Sequence, residues 1–404
     1  MSITLRPITP DEMPAFARAC AIGFGESGAW YERGKEFAET SLDRTLAGFD
    51  GDTIVATSRN YPFELTLPGG AIIRAAGLSA VTVTPTHTRR GILRELIASL
   101  FDEAVAHGEV VSMLTASEGS IYERFGYGIT TSAARIRLDV NDVGFSRPAP
   151  DGRFRMIEPD EARKVQPEVF DRVRRTYPGA LSRQAEWWCE QYEPHIGTRF
   201  DVLYESPQGS IDGYVAYGVK EHWNHMGGAH RLTAQDFVAA TPEATHALWR
   251  FLCDVDLVGT VFCPQLPLDS PLRWLLASAR ALRVESVHDY VWHRLLDVPA
   301  TLGARTYPVA GHIVLEINDH VRPGAAADGT FAVEGAPDGA EVTRSKDAPD
   351  LACGIAAASA AWLGGVRWSE LARAGLVEER TDGALARADA MFASNPLPYP
   401  FTWF

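Results

Sequence analysis

Lysine is nearly absent from this chain of 404 residues, where 4 lysines stand against 34 arginines. Basic residues of either kind number 38 against 52 acidic ones, so the formal net charge is −14. That deficit excludes a general nucleic-acid binder, which needs a basic face. It suits a cationic ligand, and equally plain solubility. Cysteine is scarce and scattered. The five residues Cys20, Cys189, Cys253, Cys263 and Cys353 are odd in number and form no C-x-x-C pair. That excludes a disulfide framework or zinc ribbon and points to a reducing compartment. No apolar run approaches the roughly 20 residues needed to cross a bilayer. The opening "MSITLRPITPDEM" has no basic region leading into an apolar stretch, so no secretory signal is expected and the protein is expected to be cytoplasmic. The phosphate-loop pattern G-x-x-x-x-G-K-[ST] is missing as well.

What is present is an ordinary globular composition, 46% hydrophobic and 22% charged, with length for two or three domains. Thr9, Pro10 and Glu12 make a capping box, and Phe16, Ala19 and Cys20 give the helix behind it an apolar stripe. Strands are expected around Thr53–Tyr61, Gly70–Ala76 and Gly77–Val83. From Ile92 through Leu93, Leu96, Ile97, Leu100, Phe101 and Ala104 the apolar spacing predicts a helix. Val110–Ser117 reads as a buried strand, followed by a short helix at Ser120–Phe125 and a strand at Ile129–Val140. Helices thus alternate with strands, which implies a mixed α/β domain. "NDVGFSRPAPDGRF" is a plausible linker. A second α/β pattern, with the Trp-rich helix "RQAEWWCEQY", runs to about Leu296. The last hundred residues offer the strand "HIVLEIND", a turn-rich hairpin, the Ala-rich helix "DLACGIAAASAAWLGG" and two shorter helices, around Val366–Ala374 and Gly383–Phe392.

Four segments are candidates for chemistry. "GFGESG" (Gly23–Gly28) matches G-x-G-x-x-G by letters, but it follows a helix where a dinucleotide fingerprint follows a strand, so it reads as a helix stop. His222, His225 and His230 of "EHWNHMGGAH" lack the tight pairing of a zinc site and read as loop decoration; no metal is expected. "SAVTVTPTHTRRGILRELI" joins a buried strand, a turn, two arginines and a glycine to an amphipathic helix. Backbone N–H groups at Thr88–Gly91 together with Arg89 and Arg90 suit phosphate oxygens, although an ordinary turn with surface arginines has the same pattern. "ASEGSIYERFGYG" places Tyr122 and Tyr127 after the next strand. A tyrosine there is either a general acid or a packing residue.

Together the last two segments resemble the GNAT acetyltransferase superfamily, in which a V-x-V-x-P strand leads into a loop that cradles the pyrophosphate of acetyl-coenzyme A. Thr88 stands where Arg or Gln is usual there, and Leu93 where Gly or Ala is usual. "GLSAVTVTPTHTRRGILRELI" followed by "ASEGSIYERFGYG" is similar to the Eis (enhanced intracellular survival) branch, and the likeness runs the length of the chain. It implies an α+β, mixed α/β fold of two tandem GNAT-type domains, 1–145 and 146–297, the second degenerate, followed by a sterol-carrier-protein-like domain, 298–404. It implies acetyl-coenzyme A as co-substrate and acetyl transfer to amines, aminoglycosides foremost, with protein lysine or polyamines as other acceptors. Tyr122 would be the general acid, the carboxylate of Phe404 the general base, and the Val83 N–H an oxyanion donor. Coenzyme contacts would be Val81, Thr82, Val83, Arg89, Arg90, Gly91, Ile92, Leu93, Arg94, Ser117 and Glu118. Phe24, Glu26 and Trp30 would line the amine site, and relatives form hexamers. Trp403 is the penultimate residue, where an acidic residue near the terminus of some relatives helps hold cationic substrates. The rival readings are a lipid or sterol carrier with vestigial acetyltransferase domains, and a regulatory scaffold. "NPLPYPFTWF" has the prolines and aromatics of a tail docked in a groove.

Overall fold

The computed structural model describes residues 3–26, 42–185, 187–188, 199–225 and 227–404. Half of the segment "RQAEWWCEQY", expected as a helix, lies outside the described residues. The described chain forms two compact units. One comprises Met1–Thr131, Pro178–Ser182 and Tyr290–Phe404; the other comprises Ser132–Tyr177 and Arg183–Asp289.

The first unit is built on a seven-stranded sheet. Its strands are β1 (Thr4–Pro7), β2 (Thr45–Asp50), β3 (Thr53–Thr66), β4 (Ile72–Val83), β5 (Val111–Leu114) and β6 (Gly128–Ile129), with Trp292–Leu295 inserted between β5 and β6. The two strands expected at Gly70–Ala76 and Gly77–Val83 are therefore one. Gly77 is not a break: a Cβ there would lie 2.3 Å from the Phe63 ring and 2.9 Å from the Phe404 ring, so glycine permits a close approach. The interruption falls at Ala80, whose φ of 53° carries a β-bulge against β3.

The expected strand Ile129–Val140 is divided in the opposite way. Gly128–Ile129 pairs with Trp292–His293 in the first sheet, whereas Ser132–Asp139 pairs with Val258–Pro267 and Leu282–Asp289 in the second unit's sheet. That second sheet also has seven strands, and its order mirrors the first.

The helix Ile92–Ala106 lies where its periodicity predicts and buries Leu96, Ile97, Leu100, Phe101 and Ala104. A buried polar cluster also holds it to the sheet. Arg44 forms paired hydrogen bonds of 2.6 Å to Glu109 and a 2.8 Å bond to Glu103, and Asn60 donates to Glu103 at 3.2 Å. Such a pair is costly to break, about 3–5 kcal/mol when one partner is removed.

In the same unit a five-stranded sheet carries the last hundred residues. The segment expected as an Ala-rich helix is strand Leu351–Gly354 followed by helix Ile355–Ala361. That helix lies on the first sheet through small residues: a Cβ on Gly128 would lie 2.1 Å from the Ala356 oxygen, and Ser359 Oγ accepts the Leu295 N–H at 3.1 Å. The interior here is filled by Tyr307, Trp362, Trp368 and Phe392, all at most 1% exposed. Buried Arg305 donates to the Phe392 and Trp362 carbonyls among them.

Candidate active site

β4 and β5 are parallel but pair only from Ala75–Gly77 to Val111–Met113. Beyond that point β4 runs on to Val83 while β5 stays with the Trp292–Leu295 strand, so a fork opens on the β4 side of β5. The Thr84 N–H donates toward β3, to the Val55 oxygen at 2.8 Å. A trans peptide and an extended residue then turn the Val83 N–H the other way, into the fork. Thr82 faces elsewhere. It hydrogen bonds Thr57 at 2.6 Å and packs so tightly on the Met13–Phe24 helix that a Cβ on Gly23 would lie 2.3 Å from it.

At the open end of the fork lies a cavity of about 1030 Å³. Of the expected coenzyme contacts, Val83, Arg89, Gly91, Ile92, Leu93, Arg94 and Glu118 line it. Val81, Thr82, Arg90 and Ser117 are not among its walls. Arg90 folds back to donate to the Thr86 carbonyl at 3.1 Å. The turn owes its shape to two left-handed residues, Arg89 at φ 63° and Gly91 at φ 87°. Gly91 takes that conformation freely, whereas arginine pays about 1–2 kcal/mol. Gly91 caps the helix without a side-chain hydrogen bond, which leaves the first-turn N–H groups of Ile92 and Leu93 without an intrahelical acceptor. Open N–H groups, the positive helix end and two guanidinium groups give this wall the donors and the charge that an anion requires.

The other wall is the turn Glu118–Phe125. Ile121, Arg124 and Phe125 face the cavity. Tyr122 is only 6% exposed and belongs to the core beneath, with its ring centroid 5.9 Å from that of Tyr127. Burial raises the Tyr122 pKa above the usual phenol value, against a hydrogen bond to Ser117 that lowers it. Tyr127 is fully buried, and its hydroxyl is paired with Ser112 Oγ at 2.6 Å.

The C-terminal tail reaches the fork. Its backbone runs beside Pro178–Ser182: the Tyr399 N–H donates to the Pro178 oxygen at 2.9 Å, and the Leu181 N–H to the Pro400 oxygen at 3.2 Å. Pro178–Ser182 in turn lies along the end of β3, where the Gly179 N–H donates to Thr66 at 2.8 Å. The Tyr290 ring stacks on Trp403 at 6.0 Å, and the Phe63 ring packs on Phe404 at 4.8 Å. Phe401 bends the tail at φ 59°, a strain on the order of 1 kcal/mol that the flanking contacts hold in place. Thr115, just past the end of β5, donates its hydroxyl to the main-chain oxygen of Phe404 at 3.1 Å.

Of the expected amine-site residues, Phe24 and Glu26 are not among the residues that line this cavity. Phe24 is 41% exposed at the end of its helix, Glu26 is exposed, and Trp30 lies outside the described residues. Gly25, at φ 70°, stops that helix, which is the role expected of "GFGESG". His230 accepts the His222 N–H at 3.0 Å beside a two-stranded ribbon. Among the described residues no group of three or more His, Cys, Asp or Glu is arranged to hold a metal ion. Sequence reasoning missed His320 and Val321, which line the cavity from the last hundred residues. It also missed Arg294, buried with Asp319 and donating to the Phe125 oxygen at 3.1 Å.

Comparison with known proteins agrees with this geometry. Residues 4–130 and 179–295 each match an acetyltransferase (GNAT) domain family, and residues 298–400 match the sterol carrier protein domain family. An uncharacterized N-acetyltransferase of Streptomyces avermitilis is 35% identical over 98% of this chain and 97% of its own length. The N-acetyltransferase Eis of Mycobacterium tuberculosis is 31% identical over 98% of both chains. The crystal structure of Eis1 from Mycobacterium abscessus superposes with a TM-score of 0.88 at 30% identity, covering 100% of each chain.

Proposed function

We propose that this chain, which belongs to the Eis-like family of GNAT N-acetyltransferases, transfers acetyl groups from acetyl-coenzyme A to primary amines of small polycationic acceptors, aminoglycosides foremost. The fork between β4 and β5 takes the thioester, with the pyrophosphate at the Arg89–Leu93 turn. An acidic chain of net charge −14 favours cationic acceptors over anionic ones. Among the described residues no helix is long and apolar enough to cross a membrane.

The amine arrives protonated and must lose a proton before it attacks. In this reading the terminal carboxylate of Phe404 accepts that proton; its reference pKa of about 3.3–3.7 keeps it ionised near neutrality. The free amine adds to the thioester carbonyl, and the Val83 N–H stabilises the resulting oxyanion. The C–S bond then breaks and its electron pair leaves on the thiolate, while the nitrogen gives up its second proton to water so that the neutral acetamide forms. Tyr122, kept protonated by its raised pKa, donates to the departing sulfur.

The observation that carries the reading is the 3.1 Å hydrogen bond from Thr115 to the Phe404 main-chain oxygen, at the closed end of the fork. The test is a chain extended by a few residues after Phe404, assayed for thiol release from acetyl-coenzyme A with aminoglycosides, polyamines and lysine peptides. Turnover should fall by at least about 100-fold while acetyl-coenzyme A still binds, because repositioning a general base loses its typical 10²–10⁴-fold contribution. Undiminished turnover in the extended chain would rule out the terminal carboxylate.

A further inference from the structure

The geometry points to a coenzyme site shared with the sterol-carrier-like domain, in which Arg124 and His320 form a second phosphate subsite that takes the ribose 3′-phosphate. The inference rests on the reading that the cavity holds acetyl-coenzyme A. That molecule carries two separate anionic groups, a pyrophosphate within its length and a 3′-phosphate at the nucleotide end. The Arg89–Leu93 turn accounts for one of them. The cavity has a further guanidinium and a neighbouring imidazole, Arg124 and His320, that this turn does not explain.

Arg124 and His320 are 196 positions apart in sequence yet adjacent in the wall, where His320 Nε2 donates to the Arg124 carbonyl at 3.3 Å. The loop that presents His320 is tightly held. Asp319, buried against Arg294, accepts the Val321 and Arg322 N–H groups, each at 3.1 Å. Asp328 closes the loop from the far side by accepting the N–H groups of Asp319 at 2.9 Å and Gly324 at 2.7 Å. Val321 packs on the core beneath the cavity, as Leu93 and Ile121 do. Arg322 reaches Asp102 on the cavity helix at 2.6 Å. The loop is therefore a fixed wall of the cavity.

Its charge stands against that of the whole chain. Among the described residues that line the cavity, Arg89, Arg94 and Arg124 have no ion-pair partner, and Glu118 is the one carboxylate. His87 is already engaged with Asp50 at 3.1 Å. A chain of net charge −14 thus keeps three unpaired guanidinium groups on one cavity. Unpaired cations on a concave wall match phosphate oxygens, with Arg124 offering a planar fork of donors.

The test is calorimetric titration of the full chain and of R124Q, H320Q and the double variant with coenzyme A and with 3′-dephospho-coenzyme A. Both side chains are exposed, and the ratio of the two affinities within each protein is its own control for folding. The original chain should prefer coenzyme A by about tenfold or more, the worth of one or two charge-assisted hydrogen bonds. Each substitution should shrink that preference, and the double variant should bring it near unity with dephospho-coenzyme A affinity unchanged. An unaltered ratio in the variants, or equal losses for both ligands, would overturn the subsite while leaving the cavity assignment standing. Failure of the original chain to bind either ligand would overturn the cavity assignment itself.

Discussion

Strands Ile72–Val83 and His230–Ala239 hold the same place in two sheets of matching order, each fourth from either edge of seven. Each has an antiparallel neighbour on one side and a parallel one on the other. Each leads through a turn into a helix, Ile92–Ala106 in one case and Pro242–Asp254 in the other. The chemistry at the two helix starts is opposite. In the first, Gly91 caps without a side chain, and arginines flank the open N–H groups. In the second, Thr241 Oγ1 accepts the Ala244 N–H at 3.1 Å, Pro242 has no N–H to offer, and Glu243 places negative charge in the first turn. Beneath the second turn the Phe237 and Trp249 rings stack at 4.9 Å. One topology therefore leaves backbone donors open at one helix start, whereas at the other a threonine cap, a proline and a glutamate take their place.

The sharpest way to break this contrast is to exchange the turns. Replacing Thr88–Leu93 (TRRGIL) with the sequence of Ala240–Thr245 (ATPEAT) removes both arginines and the left-handed glycine and adds an acid. Coenzyme A affinity should fall by more than about 100-fold, since at least two charge-assisted contacts are lost. Circular dichroism should show an unchanged fold, and calorimetry gives the affinity. Retained affinity would mean that the turn is not the phosphate site.

The strands lying beside β5 and its counterpart in the second sheet extend the comparison. Ser132–Asp139 buries apolar Ile136 and Leu138, whereas Trp292–Leu295 buries His293 and Arg294. His293 Nδ1 accepts from Trp362 Nε1 at 3.1 Å, and burial pushes its pKa from the ordinary 6.5 down to about 3. The unfolded chain therefore takes up a proton at this residue below about pH 6.5, and the folded chain does not until about pH 3. Stability should fall as pH drops through that window, by about 2 kcal/mol between pH 7 and pH 5 from this group. Urea unfolding across that range measures it. His293→Asn, which keeps an acceptor for Trp362, should flatten the slope; an equally steep slope would place the acid sensitivity elsewhere.

How far these features can be read from the residues follows from their range. The capping box of Thr9 and Glu12 forms as expected, and so does the Ile92–Ala106 helix, because both depend on neighbours within a turn. The absence of a basic glycine turn in "AATPEATHAL" already marks the second helix start as closed. The bulge at Ala80 has no compositional mark, since alanine seldom takes φ of 53° and nothing nearby announces it. The division of Ile129–Val140 between two sheets depends on partners over 100 positions away. His320 escaped for the same reason: its place in the cavity wall comes from a loop held by Arg294 and Asp328, not from any local motif. Phe24 and Glu26 were placed by resemblance alone, and the cavity does not include them.

The smallest effect tests the closed side of the comparison. Thr241 supplies its helix with one hydrogen bond, and losing an N-cap of this kind costs about 1 kcal/mol. Thr241→Ala should therefore lower the urea midpoint by a corresponding amount. It should not create a second coenzyme site, because Glu243 and the missing Pro242 N–H still disfavour an anion. One bound coenzyme A per chain, counted by calorimetry in both the original protein and the variant, is the expected stoichiometry. A second equivalent in the variant would show that the Thr241 cap alone keeps the second helix start closed, and that the glycine and arginines of the first turn are not required for phosphate binding.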